Sequence, residues 1–191
     1  MKTLKPLIED FCKEIKEKEE IIYSEFSLQH ELGMFLRKKL QNCKVEFERN
    51  VTLSVLNFGM EQTCKKEMDI VVYTLDGREK YAIEVKYPCN KQYPEQMFSF
   101  IKDIKFMEEL QERGADRTYC LCVVDDPCFY SSGRKKEGIY SYFRCGNEIT
   151  GKITKPTGKK DESFEIKGKY KIVWKELDDI RHYYLIEIQK L

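Results

Sequence analysis

The sequence predicts an α/β fold in the broad (α+β) sense: a mixed central β-sheet flanked by helices, with a β-rich C-terminal elaboration. Three observations predict it. Asp76-Gly77 separates two β-branched, aromatic-rich runs, the pattern of a hairpin. Two stripes of apolar residues at helical spacing precede that hairpin, from Leu7 to Ile15 and from Leu28 to Leu40. A third stripe, Met97 to Met107, leads into the β-rich run Thr118 to Asp125, and strand, helix, strand implies a parallel pair joined by a right-handed crossover. The 191 residues suit one domain with a sizeable core: 1–24 as a helical extension, 25–126 as the core and 127–191 as the elaboration.

Taken in order, Pro6 to Glu20 forms an amphipathic helix on Leu7, Ile8, Phe11 and Ile15, its Lys/Glu run a solvated face. Ser27 to Leu40 forms a second, with Ser27 as N-cap and basic residues in the last turn. Lys44 to Val55 alternates in two phases, which predicts a strand bent near Arg49-Asn50. After the hairpin, a loop with Pro88 and Pro94 opens a helix that runs to about Arg113, where Gly114 stops it. Beyond Asp126 the texture turns polar and Gly-rich, and Lys169 to Trp174 and Tyr183 to Ile188 read as strands.

The hairpin carries the chemistry. With Asp76 and Gly77 as a two-residue loop, Tyr73 faces Lys80, Val71 faces Ala82 and Asp69 faces Glu84, with Lys86 on the same side. One face is then apolar throughout (Ile70, Val72, Tyr81, Ile83, Val85), while the other ends in Asp69, Glu84 and Lys86. Directly opposed carboxylates repel, and Lys86 neutralises only one. A hard divalent cation would supply the rest, since Mg²⁺ is commonly held by one or two carboxylates and waters. The alternative is a solvated charge cluster on an exposed hairpin end. Glu31 projects from the apolar stripe of the second helix; it either pairs with a cation or snorkels to water.

A glutamate on a helix (Glu31), an aspartate opening a strand (Asp69) and Glu84-Val85-Lys86 on the next strand resemble the PD-(D/E)xK nuclease superfamily. The resemblance covers roughly Ser27 to Asp126, since the helix and strand that follow match that family's core. Met68 stands where the motif name has proline, a position that is not a ligand. The resemblance implies a restriction-endonuclease-like core, with Mg²⁺ (Mn²⁺ as a substitute) held by Asp69, Glu84, the Val85 carbonyl and Glu31. It implies hydrolysis of phosphodiester bonds in nucleic acid, DNA before RNA, by a metal-activated water, with a 5′-phosphate and a 3′-hydroxyl as products. Lys86, flanked by carboxylates, is expected to stay protonated and to orient the water and stabilise the transition state rather than act as a base.

Lys65-Lys66 and Arg134-Lys135-Lys136 are candidate phosphate contacts, with a solvated surface as the alternative for both; Gln96 and Asp103 border the third helical stripe, where they either support the site or simply edge the helix. A net charge of +1 means that any nucleic-acid footprint is local. No Walker A loop, G-x-G-x-x-G or G-x-S-x-G is present, and two histidines with no C-x-x-C pair give no support to a zinc site. The eight cysteines read as reduced structural thiols. A charged N-terminus without an apolar stretch, and no membrane-length run, lead to an expectation of a cytoplasmic protein with no membrane partner. A homodimer, which would let both strands be cut, is left open. The competing function is a non-catalytic nucleic-acid-binding or protein-interaction module that retains the fold.

Overall fold

The computed structural model describes residues 3–18, 22–52, 63–131, 135–158 and 161–189. Two helices, α1 (Lys5–Lys18) and α2 (Glu25–Lys39), precede strands β1 (Cys43–Asn50), β2 (Glu67–Thr74) and β3 (Lys80–Lys86). Helix α3 (Tyr93–Glu112) crosses over to β4 (Arg117–Val124). Then come the short α4 (Ile139–Arg144), the pair β5 (Ile149–Thr154) and β6 (Ser163–Tyr170), and finally β7 (Lys175–Glu176) and β8 (His182–Ile188). Six strands form one mixed sheet in the order β1-β2-β3-β4-β8-β7, and β5 and β6 form a separate two-stranded sheet. The expected mixed sheet with flanking helices is therefore present.

Period-two alternation divides the core between the two faces of the sheet. Ile70, Val72, Tyr81, Ile83 and Val85 pack with Leu28, Leu32 and Leu36 of α2 and with residues of α1. Val71, Ala82, Cys120 and Cys122 face α3 through Met97, Phe100, Ile104 and Met107. The Val, Leu, Ile, Phe and Met side chains among these are at most 1 % exposed, each contributing about 1.5–3 kcal/mol of apolar transfer. β3 and β4 run parallel, with Glu84 opposite Cys120 and Lys86 opposite Cys122, as the crossover rule requires. At Gly33 the backbone of α2 comes so close to β1 that an added Cβ would collide with the Phe47 ring.

Several elements differ from expectation. The hairpin loop is four residues long, Leu75 to Arg78, rather than two: Thr74 N–H donates to the Glu79 carbonyl at 3.0 Å and Gly77 N–H to the Thr74 carbonyl at 2.9 Å. Only Gly77 has positive φ (70°), and Asp76 instead accepts from Thr74 Oγ1 and the Arg78 N–H. Lengthening the loop symmetrically leaves the register unchanged, so Tyr73 still pairs with Lys80 and Val71 with Ala82. The irregularity of β1 falls at Glu48 (φ 49°), one residue before the predicted bend, and the strand ends at Asn50; residues 53–55 lie outside the described residues. Helix α2 starts earlier than predicted, because Ser24, not Ser27, is the N-cap: its hydroxyl accepts the Ser27 N–H at 3.0 Å.

In the C-terminal part, the strand expected at Lys169 to Trp174 is displaced towards the N-terminus: Lys169 and Tyr170 end β6, and 171–174 are not in a strand. The polar stretch from Gly151 to Ser163 contains most of β5, whose exposed polar faces hid it from a hydrophobicity pattern. β8, as predicted, is a strand, and it pairs antiparallel with β4 inside the main sheet. Among the described residues no helix is long and apolar enough to cross a membrane.

Candidate active site

Extending the β2–β3 register past Ile70 and Ile83 sets Asp69 against Glu84, at the end of the hairpin away from its loop. The two carboxylates lock into the local backbone: Val85 N–H donates to Asp69 Oδ2 at 2.8 Å, and Asp69 N–H approaches Glu84 Oε1 at 3.4 Å. Val85, expected to act through its carbonyl, thus holds Asp69 through its amide. Glu84 lies on the α3 side and is 1 % exposed. Opposite it, α3 carries Asp103, 3 % exposed.

Two ammonium groups enter this acidic pocket. Lys65, just ahead of β2, binds Glu84 Oε2 in a short ion pair and Asp103 Oδ1 at 3.1 Å. Lys86 Nζ contacts Glu25 Oε1 at 2.9 Å and lies 3.9 Å from Asp103 Oδ2. That Asp103 oxygen is buried and has no hydrogen-bond partner. Four carboxyl groups (Asp69, Glu84, Asp103, Glu25) therefore share two ammonium groups (Lys65, Lys86), two more acids than cations.

The electrostatics follow from burial and this imbalance. Desolvation pushes the Asp69 carboxyl up to about 6 although Lys65 and Lys86 pull it down. Burial, then the charges of Asp69 and Asp103, hold Glu84 well above the usual carboxylate range. Burial alone would depress both lysines, but the surrounding carboxylates, Asp103 first, outweigh it and raise them, so both stay protonated.

Of the residues expected in the site, Asp69, Glu84, Lys86 and Asp103 come together. Lys65 does too, but as an inward ion-pair partner rather than a surface phosphate contact. Lys66 is exposed and, with Glu48, Lys65, Glu67 and Asp69, lines a cavity of about 390 Å³ that opens on the site. Gln96 is not in the site: its amide donates to Asn90 Oδ1 at 3.1 Å. Arg134 lies outside the described residues, and Lys135 and Lys136 are exposed, with Lys135 Nζ 5.7 Å from the Tyr140 ring centre.

Glu31 is a correction. Its carboxylate meets His30 Nδ1 at 3.1 Å with its side chain 38 % exposed, while the helical carboxylate that touches Lys86 is Glu25. The reason is angular. At 100° per residue, Glu25 lies seven positions before Leu32 and eleven before Leu36, over the centre of the buried stripe, whereas Glu31 lies beyond the edge marked by Leu28 and Phe35. Placing the N-cap at Ser27 left Glu25 outside the helix and hid it. Gln29, four residues after Glu25, was also missed; its amide bridges the Asp69 carbonyl (2.7 Å) and Glu48 Oε1 (2.6 Å), tying α2 to the rim of the sheet.

No protein-family model, curated protein or solved structure matches this chain. Its chemistry rests on the geometry. Among the described residues, no group of three or more His, Cys, Asp or Glu side chains is arranged to hold a metal ion. The donors at hand are the two hard carboxyl groups of Asp69 and Glu84, in a pocket where carboxyls outnumber ammonium groups four to two. That set fits an Mg²⁺-like ion, which needs few protein ligands and keeps its waters, and not a zinc site closed by thiolates and imidazoles.

Proposed function

We propose that the chain is a divalent-cation-dependent nuclease of the PD-(D/E)xK kind that hydrolyses phosphodiester bonds in DNA. The observation that carries this reading is the meeting of Asp69, Glu84 and a protonated Lys86 at one end of the hairpin, within a cluster that has two more carboxyls than ammonium groups. Asp69 and Glu84 would hold Mg²⁺ or Mn²⁺. The bound ion would lower the pKa of a coordinated water and offset charge on the phosphoryl oxygens.

The protein's own groups do the rest. Lys86, fixed between Glu25 and Asp103, keeps its proton and presents it to the attacking water and the developing negative charge. Gln29 and the Val85 amide fix the Asp69 backbone and carboxylate respectively, so the donor pair is positioned before substrate arrives. Lys66, exposed on the rim of the 390 Å³ cavity, is placed to meet a phosphate without reading sequence.

A specific observation favours the competing non-catalytic module: Glu84 and Asp103 already have a cation, Lys65. Incubating wild type and Lys86→Ala with supercoiled, linear and single-stranded DNA in Mg²⁺, Mn²⁺ or EDTA decides between them. Metal-dependent cleavage lost in a folded variant is the expected result. Full cleavage by Lys86→Ala would refute the assignment, and no cleavage of any substrate by wild type would favour the binding module.

A further inference from the structure

Lys65 occupies the centre of the acidic pocket in a way that nothing in its own segment requires. Its side chain is 21 % exposed, and its ammonium sits between the buried carboxyls of Glu84 and Asp103. A lysine there is unusual in what it leaves undone. Asp103 keeps one buried oxygen without a hydrogen bond, and carboxyls still outnumber ammonium groups in the pocket. Lys65 therefore sets one positive charge between two buried carboxyls and leaves one of them with an unbonded oxygen. The same side chain also borders the cavity shared with Glu48, Lys66, Glu67 and Asp69, so an open path leads away from the carboxylates. Lys65 precedes β2 and belongs to neither ladder, so its side chain can turn without breaking a strand pairing.

We propose that Lys65 is the site's built-in counter-ion: a divalent cation enters by displacing its ammonium from Glu84 and Asp103, and the freed side chain turns into the adjoining cavity. This rests on the metal-dependent reading above and adds a regulation to it. The exchange changes the charge by one: one ammonium moves out and one divalent ion moves in, a net gain of one positive charge in a pocket with two more carboxyls than ammonium groups. Without the ion, Lys65 keeps the pocket closed and the fold intact. With it, a second lysine beside Lys66 becomes available to phosphate. Asp103 acquires its part here, as the carboxylate that holds Lys65 in place until the exchange.

The test begins with the wild-type protein, whose folding is not in question. Lysine acetylation read by mass spectrometry is run in EDTA and in saturating MnCl₂, with exposed Lys66 as internal reference. Lys65 is expected to react slowly in EDTA and about tenfold faster with Mn²⁺, while Lys66 stays constant. Calorimetry with MnCl₂ on Lys65→Met, which keeps the length and removes the charge, is expected to show binding tightened about tenfold, the low end of what a close charge pair is worth. Lys65→Arg, which keeps the charge, should bind Mn²⁺ no more tightly than wild type.

Mn²⁺ binding with an unchanged Lys65 reaction rate, or Lys65→Met binding no tighter than wild type, overturns the proposal. If DNA is still cleaved in that case, only the role of Lys65 falls. If neither protein binds Mn²⁺ and DNA is not cleaved, the metal-dependent function falls with it.

Discussion

Asp69→Asn should make the metal-free protein more stable at neutral pH. The Asp69 carboxyl is pushed up to about 6 from an ordinary value of 3.8, chiefly by burial. Between those two values the folded chain holds a proton that the unfolded chain has lost, so stability falls as pH rises through this window and stays reduced above it. At roughly 1.4 kcal/mol per tenfold difference in proton affinity, the ionised group costs the fold about 3 kcal/mol. Asparagine keeps an oxygen to accept the Val85 N–H now bound at 2.8 Å, so the main local hydrogen bond survives. Loss of the attraction to Lys65 and Lys86 is already contained in that balance, because both oppose the shift. The assay is thermal and urea unfolding of both proteins in EDTA from pH 4 to pH 8. The gap between them should be small near pH 4 and grow to about 2–3 kcal/mol by pH 7.5, or roughly 4–12 °C in midpoint for a chain of this size. Adding MgCl₂ at pH 7.5 should raise the midpoint of wild type and leave the variant where it was. Parallel stability curves across the whole range, or a variant less stable than wild type at pH 7.5, would refute the reasoning that Asp69 is a carboxylate held at a cost.

Glu25→Gln removes the charge that meets Lys86 at 2.9 Å and should lower cleavage about tenfold with little change in substrate KM, read by single-turnover kinetics. Glu31→Gln, by contrast, should cleave as wild type does, because its carboxylate is paired with His30 on a half-exposed surface. Gly33→Ala forces the Phe47 ring from its place and should cost about 1–3 kcal/mol in urea unfolding, with DNA cleavage retained below the transition. Glu108→Ala strands the Lys167 and Gly168 amides and the Tyr170 hydroxyl that now donate to one buried carboxylate. It should lower stability by about 2–4 kcal/mol without altering metal dependence, as differential scanning fluorimetry in Mg²⁺ and EDTA would show.

What could be read from residues alone was set by period and register. Alternation along Ile70 to Val72 and Tyr81 to Val85 assigned each side chain to its sheet face, and the pairing of Asp69 with Glu84 survived a wrong loop length because both loops are centred on the same point. Helical carboxylates were harder. A stripe tells which way a helix faces but not where it begins: Glu31 lies past the stripe's edge whichever serine is the cap, while the shift of the cap from Ser27 to Ser24 brings Glu25 into the helix. Lys65 and Asp103 were visible as a basic and an acidic residue near the site. Their pairing was not, because 38 positions, with the whole β2–β3 hairpin among them, separate the two in sequence. β5 and β6 were obscured by alternation too polar to stand out, and α4 by its shortness.

The topology explains why charges gather at this one rim. The antiparallel β2–β3 pair sets Asp69 beside Glu84, while the parallel step from β3 to β4 forces a crossover helix, α3, over the face that Glu84 and Lys86 share. Asp103 arrives on that helix. Helix α2 packs on the opposite face, yet its N-terminal turn overhangs the end of the sheet, which lets Glu25 reach Lys86 and Gln29 reach the Asp69 carbonyl. The site is thus the place where two core layers, otherwise kept apart by the sheet, meet around a strand end. Buried ion pairs seldom repay their desolvation, and well-packed apolar side chains in their place are often neutral or stabilising. A rim built only for stability would have no use for four carboxylates and two lysines. Under the proposed function their concentration is a stability cost carried for a cation and a phosphate, and Asp69→Asn is the substitution that tests that cost.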